Sequence, residues 1–195
     1  MNFDLPMYGR DDRKWFFSRY FGLLTKSIDS VSADKLEALC ELIVAAQGAG
    51  KKIIIVGNGG SAAIASHVAV DLTKAAGIRA VNFNEADLLT CLSNDYGYEH
   101  WVEKALEFWA DRGDLVIIIS SSGRSENLLN GAKCAKNLGL GLITLSGFDE
   151  DNPLRALGDL NFWVDSPEYN IVETTHQTWL LAAVDYVISK EEKVA

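Results

Sequence analysis

The sequence predicts an α/β fold built on a parallel sheet, and three observations carry that prediction. Short apolar runs alternate with longer stretches of helix formers from residue 52 onward, the pattern of strand and crossover helix. The run at 53–56, Ile-Ile-Ile-Val, is continuously apolar and β-branched, as a strand covered on both faces is. Two of the runs end in small-residue turns that open directly onto helices: Gly57-Asn58-Gly59-Gly60-Ser61 and Ser120-Ser121-Ser122-Gly123-Arg124-Ser125.

Taken in order, residues 10–30 read as a helix, with Trp15, Phe16, Arg19, Tyr20, Leu23, Leu24 and Ile28 largely following the 3.6-residue period. Its aromatic face suits either its own domain or a partner subunit. A second helix is expected from about Ala33 to Gln47, capped by Ser32, lined by Leu36, Leu39 and Ile43, and stopped by Gly48 or Gly50. Strands are expected at 52–57, 79–84, 114–120, 140–146 and 160–165. Helices are expected near 61–76, 85–92, 97–111, 125–138 and 170–189. The chain reads as one domain over 1–195, with a helical pair at 1–50 preceding an α/β core at 51–195.

Composition narrows the function. The 195 residues, 48% of them hydrophobic, are enough for a sizeable core, and no run reaches the ~18–20 apolar residues of a membrane span. The first residues, MNFDLPMYGRDDRK, lack the apolar centre of a signal peptide, so a cytoplasmic protein is expected. Cys40, Cys91 and Cys134 are odd in number and set in apolar contexts, which predicts buried free thiols. A net charge of −9 argues against a nucleic-acid surface. A phosphate remains possible where backbone amides and hydroxyls hold it.

Both turns offer that chemistry. Three glycines among residues 57–61 let a ligand approach bare backbone, and the helix after them, with Ser61 as its expected N-cap, begins with unpaired N–H groups and the positive end of its dipole. The spacing is neither a dinucleotide fingerprint nor a P-loop, so no nucleotide cofactor is expected. Residues 120–125 add four hydroxyls at a second helix start, matched to the acceptor oxygens of a phosphate. In a parallel sheet both turns lie at the carboxyl edge, where ligands bind.

GNGGS followed by SSSGRS resembles the sugar isomerase (SIS) domain, and the match is nearest to phosphoheptose isomerases, which act on sedoheptulose 7-phosphate. Asn94-Asp95-Tyr96-Gly97 matches that family's Asn-Asp-aromatic-Gly segment. The resemblance implies a three-layer, doubly wound five-stranded sheet of flavodoxin-like order. It also implies a homo-oligomer, a tetramer with sites at subunit interfaces. Phosphate would be held by Ser120, Ser121, Ser122 and Ser125, and the sugar by Asn58, Gly59, Gly60, Ser61, Asn94, Asp95, Asn170 and Glu173.

Moving a carbonyl between adjacent sugar carbons needs a base and a group that stabilises the enediolate oxygen. His67 and Asp71, at i and i+4, share a helical face, as do Glu173 and His176 at i and i+3. These four form either an acid/base set or a divalent-metal site, with zinc the expected ion. The metal-free version makes Glu173 the base and His67 the acid. By resemblance His67 matches a family histidine, while Asp71 stands at a glutamate, Glu173 at a glutamine and Leu181 at the catalytic histidine; His176, one turn below Leu181, would substitute. The same departures would suit the alternative, a non-catalytic SIS module binding a sugar phosphate or a partner protein, as in replication-initiator-associated relatives.

Overall fold

A computed structural model describes residues 13–191. Its elements are α1 (Arg13–Ile28), α2 (Ala33–Gly48), β1 (Ile53–Gly57), α3 (Gly60–Lys74), β2 (Ala80–Val81), α4 (Ala86–Tyr96), α5 (Trp101–Trp109), β3 (Leu115–Ser120), α6 (Glu126–Asn137), β4 (Gly141–Gly147), β5 (Leu160–Val164) and α7 (Tyr169–Glu191). The five strands pair in parallel in the order β2-β1-β3-β4-β5, the expected flavodoxin-like order. Residues 10–12 of the expected first helix lie outside the described residues.

The continuous apolar runs work because each strand feeds two cores. Ile53, Ile55, Leu115, Ile117 and Ile119 face one layer, with α2, α3 and α7. Ile54, Val56, Val116 and Ile118 face the other, with α5 and α6. Alternation within an all-apolar run is what a sheet covered on both faces demands.

Two elements differ from expectation. β2 is only two residues long, because the chain turns away at Asn82, whose side chain accepts the Asn84 amide at 3.0 Å. The Asn84 side chain then ties that segment to α3 through the Ala62 carbonyl (2.8 Å) and Ser66 Oγ (2.7 Å). α4 runs on to Tyr96, ended by Gly97 at φ 89°, so Asn94 and Asp95 are helical.

Ser32 caps α2 as expected, accepting the Lys35 amide at 3.4 Å, and Leu39 and Ile43 are buried. α1 packs on α7, where Trp179 Nε1 donates to the Ile28 carbonyl at 2.9 Å. No residue of α1 is buried within the chain, and Phe17 and Phe21 are more than half exposed.

His176 corrects the sequence reading. It is fully buried in α7, tilted against Trp179, and its Nε2–H donates to the Ser146 carbonyl of β4 at 3.0 Å. It points into the core because its neighbours on that face of α7, Val172, Trp179, Leu180 and Ala183, build the first layer. It therefore neither binds a metal nor replaces a histidine at position 181, and Leu181 itself packs against that layer.

Burial pushes the His176 pKa from 6.5 down to about 4. The unfolded chain takes up a proton that the folded chain refuses, so this group's contribution is intact above the unfolded value and is lost as pH falls through the folded one. Stability is expected to drop by about 3 kcal/mol between pH 6.5 and 4 on this account. Urea unfolding at a series of pH values checks it. His176→Gln should flatten that part of the profile, and an unchanged slope would show that His176 is not its source.

Candidate active site

β1 and β3 are neighbours, with Gly57 opposite Ile119. The chain leaves β1 for β2 on one side, while β3 is followed by β4 on the other. The two small-residue turns are thereby brought together at the strand ends, where a doubly wound sheet opens a crevice. A cleft of ≈ 250 Å³ lies there. Its walls are residues 58–61, residues 119–122, Ser125 and Leu128, closed by Tyr169 and Glu173 from α7.

The first turn is shaped by Gly59, which caps α3 at φ 54°, a conformation that side chains other than glycine rarely tolerate. The helix starts earlier than the sequence suggested, so Ser61 is not the cap but a buried residue of the first turn. Gly60 is required for a different reason. A methyl group there would overlap the Glu173 carboxylate, which rests against the start of α3.

In the second turn the Gly123 amide donates to the Ser120 carbonyl at 3.0 Å with φ 62°, and a methyl at Gly123 would overlap Asn152. Asn152 is buried and anchors the turn to Ser146 Oγ (3.1 Å) and the Asp149 carbonyl (2.8 Å). Ser125 occupies the N-cap of α6 without a side-chain capping bond, so the helix-start amides keep an open face. Arg124 turns outward to Asp149 (3.1 Å) and Asp151 (3.5 Å). Among the described residues, neither lysine nor arginine lines the cleft; amides and hydroxyls do.

Among the described residues, Glu173 is the carboxylate that lines the cleft. Burial raises its pKa above the ordinary glutamate value, partly offset by the Ser121 hydroxyl at 3.5 Å. Across the cleft Asn58 forms a reciprocal amide pair with Asn127: Asn58 Nδ2 donates to Asn127 Oδ1 at 3.0 Å, and Asn127 Nδ2 returns to Asn58 Oδ1 at 2.9 Å. Tyr98 adds a second donor to Asn58 Oδ1, at 3.2 Å. Asn127, Tyr98 and Tyr169 were not singled out in the sequence. Position 127 lies beside the serine-rich turn in the first turn of α6, but nothing in the sequence pairs Tyr98 with Asn58.

The expected His67–Asp71 pair forms, with His67 Nε2 3.3 Å from Asp71 Oδ2, on an exposed face of α3. A carboxylate only accepts, so the neutral ring carries its proton on Nε2, and Nδ1 accepts from Gln177 Nε2 at 2.9 Å. Gln177 was also missed, although it stands one turn beyond Glu173 on the same face of α7. With His176 in the core, the four-residue metal set does not assemble. Among the described residues no group of three or more histidine, cysteine, aspartate or glutamate side chains could hold a metal ion.

Asn94, Asp95 and Asn170 are exposed and do not line this cleft. Asn94 Nδ2 instead donates to Asp95 Oδ1 at 2.9 Å at the end of α4. Cys91, expected to be buried, is exposed, whereas Cys40 and Cys134 are buried free thiols as read from the sequence.

The architecture has known counterparts. A family model described as "SIS domain" matches residues 17–147. The phosphoheptose isomerase of Aliarcobacter butzleri is 35% identical over 159 residues, covering 78% of this chain and 83% of its own. That of Campylobacter concisus is 36% identical over 149 residues, 72% of this chain and 77% of its own. In three dimensions, the phosphoheptose isomerase from Neisseria gonorrhoeae superposes with a TM-score of 0.83 at 25% identity, over 90% of this chain and 98% of its own. The chain belongs to the SIS domain family and, within it, to the phosphoheptose isomerases.

Proposed function

We propose that this phosphosugar isomerase interconverts an aldose and a ketose phosphate of heptose size, sedoheptulose 7-phosphate being the ketose its resemblance implies, with Glu173 as the base. The observation that carries the assignment is the half-buried Glu173 carboxylate, its pKa raised by burial, lying in the same cleft as both anion-binding turns.

The serine-rich turn at 120–125 suits the phosphate, because its hydroxyls and the open start of α6 supply donors. The start of α3 is less suited, since Glu173 already rests on Gly60. With the phosphate so placed, the sugar extends past Glu173. The carboxylate takes the proton from the carbon next to the carbonyl, and that C–H electron pair becomes the enediolate double bond. The carbonyl π pair moves onto oxygen. The former carbonyl oxygen takes a proton from water, and the neighbouring hydroxyl gives one up to water. That O–H pair becomes the new carbonyl π bond as the enediolate double-bond pair takes the proton back from Glu173 onto the former carbonyl carbon.

His67 is less suited to the acid role than the sequence suggested, because both ring nitrogens are engaged, by Asp71 and by Gln177. No step is assigned to a metal. The reading as a non-catalytic module is disfavoured by relatives that are named isomerases over most of their length. A cytoplasmic homo-oligomer, with a tetramer as the resemblance implies, completes the proposal. Its support is the pair of exposed phenylalanines on α1 and the buried free thiols.

Three outcomes test this. Glu173→Gln should lower kcat by about 10²–10⁴-fold while sugar-phosphate affinity is kept. In the wild type, the acidic limb of kcat/KM should lie above the ordinary glutamate range, since the base works only when deprotonated. Full turnover in the variant would remove Glu173 from the mechanism. Replacing Ser122 and Ser125 together by alanine should weaken sugar-phosphate binding by about 1–3 kcal/mol per lost charge-assisted bond, read by calorimetry. Unchanged affinity would place the phosphate elsewhere.

A further inference from the structure

An enediolate needs a donor for the oxygen that gains charge, and the base assignment leaves that role open. We infer that the Asn58 side-chain amide is this donor, and that Tyr98 and Asn127 are positioning residues that hold it in the donating orientation. The inference rests on the isomerase reading of the cleft.

The argument is one of hydrogen-bond capacity. A primary amide has two N–H donors and two acceptor lone pairs. Asn58 Oδ1 accepts from both Asn127 Nδ2 (2.9 Å) and Tyr98 Oη (3.2 Å), which fills it. Asn58 Nδ2 spends one N–H on Asn127 Oδ1 (3.0 Å) and keeps one. Asn58 lines the cleft, so what it has left to offer a ligand is a single N–H and no acceptor.

The reciprocal pair alone would not fix this. If both amides turned over together, they would pair equally well and present a carbonyl to the ligand. The Tyr98 hydroxyl favours one arrangement, because a phenol donates to an amide oxygen more strongly than it accepts from an amide N–H, and so it is better matched to Oδ1 than to Nδ2. The two braces come from separate places: Tyr98 from the turn after α4, and the buried Asn127 from α6. The donor is thus set in place before the charge develops, the condition under which such groups act most strongly.

The test compares two probes by calorimetry: the aldose phosphate, and a phosphorylated hydroxamate of matching chain length that mimics the enediolate. Wild-type protein should prefer the hydroxamate. Asn58→Ala should reduce that preference about 10²-fold, and Tyr98→Phe, which removes one hydroxyl, by severalfold, each losing far less affinity for the aldose phosphate than for the hydroxamate. A residue of merely structural importance would weaken both probes alike. Thermal melts of each variant report folding, and Tyr98→Phe keeps the test open where Asn58→Ala fails to fold. A hydroxamate preference unchanged in both variants overturns the inference while the isomerase reading stands. A wild type that binds the aldose phosphate but shows no preference overturns that reading and the inference with it.

Discussion

The site depends on one constraint, the adjacency of β1 and β3 in a sheet whose connections leave them in opposite directions. Crossover helices can cover the strands but cannot fill the gap where the winding reverses. Two glycine- and serine-rich turns therefore end side by side, each presenting the unpaired amides of a helix start, α3 and α6. Everything else in the cleft is placed relative to that pair. α7 crosses from the first core layer to bring Glu173 against Gly60. The segment after α4 brings Tyr98 to Asn58, and the stretch after β4 brings Asn152 under Gly123.

This arrangement explains how an acidic chain holds an anion. With a net charge of −9 and, among the described residues, no cationic side chain lining the cleft, binding falls to oriented dipoles. Arg124 stands in the phosphate-binding turn itself yet is occupied by Asp149 and Asp151 on the outside, so it braces the turn. The same absence of a nearby cation leaves Glu173 without an electrostatic partner in the cleft. Burial raises its proton affinity, with only the Ser121 hydroxyl to offset it, a direction that suits a general base.

The parts that the sequence made legible are those set by local pattern. The strand expected at 52–57, the helix start after the second turn and the cap at Ser32 follow from periodicity and small residues, and the structure has them in place to within a residue. The serines of the second turn line the cleft for the same reason. What pattern could not give was direction and tertiary reach. His176 shares the last helix with Glu173, but a three-residue step carries it onto the face that packs on β4. Gln177, a four-residue step from Glu173, stays on the outer face and meets His67. Asn127 and Tyr98 act through contacts spanning 69 and 40 residues, distances at which neither periodicity nor spacing carries information. Asn94 and Asp95 stand on the exposed end of α4, which runs through Tyr96 to the stop at Gly97.

The central claim is that the two turns make one site with a fixed polarity, phosphate at the second and reacting carbons at Glu173. A crystal structure with a bound ketose phosphate tests it most directly. The account predicts the phosphate against Ser120, Ser122 and Ser125 at the start of α6, with the carbonyl-bearing end of the sugar beside the Glu173 carboxylate and Asn58. A phosphate seated instead on Gly59 and Gly60 at the start of α3, with Glu173 displaced from the cleft, would contradict it.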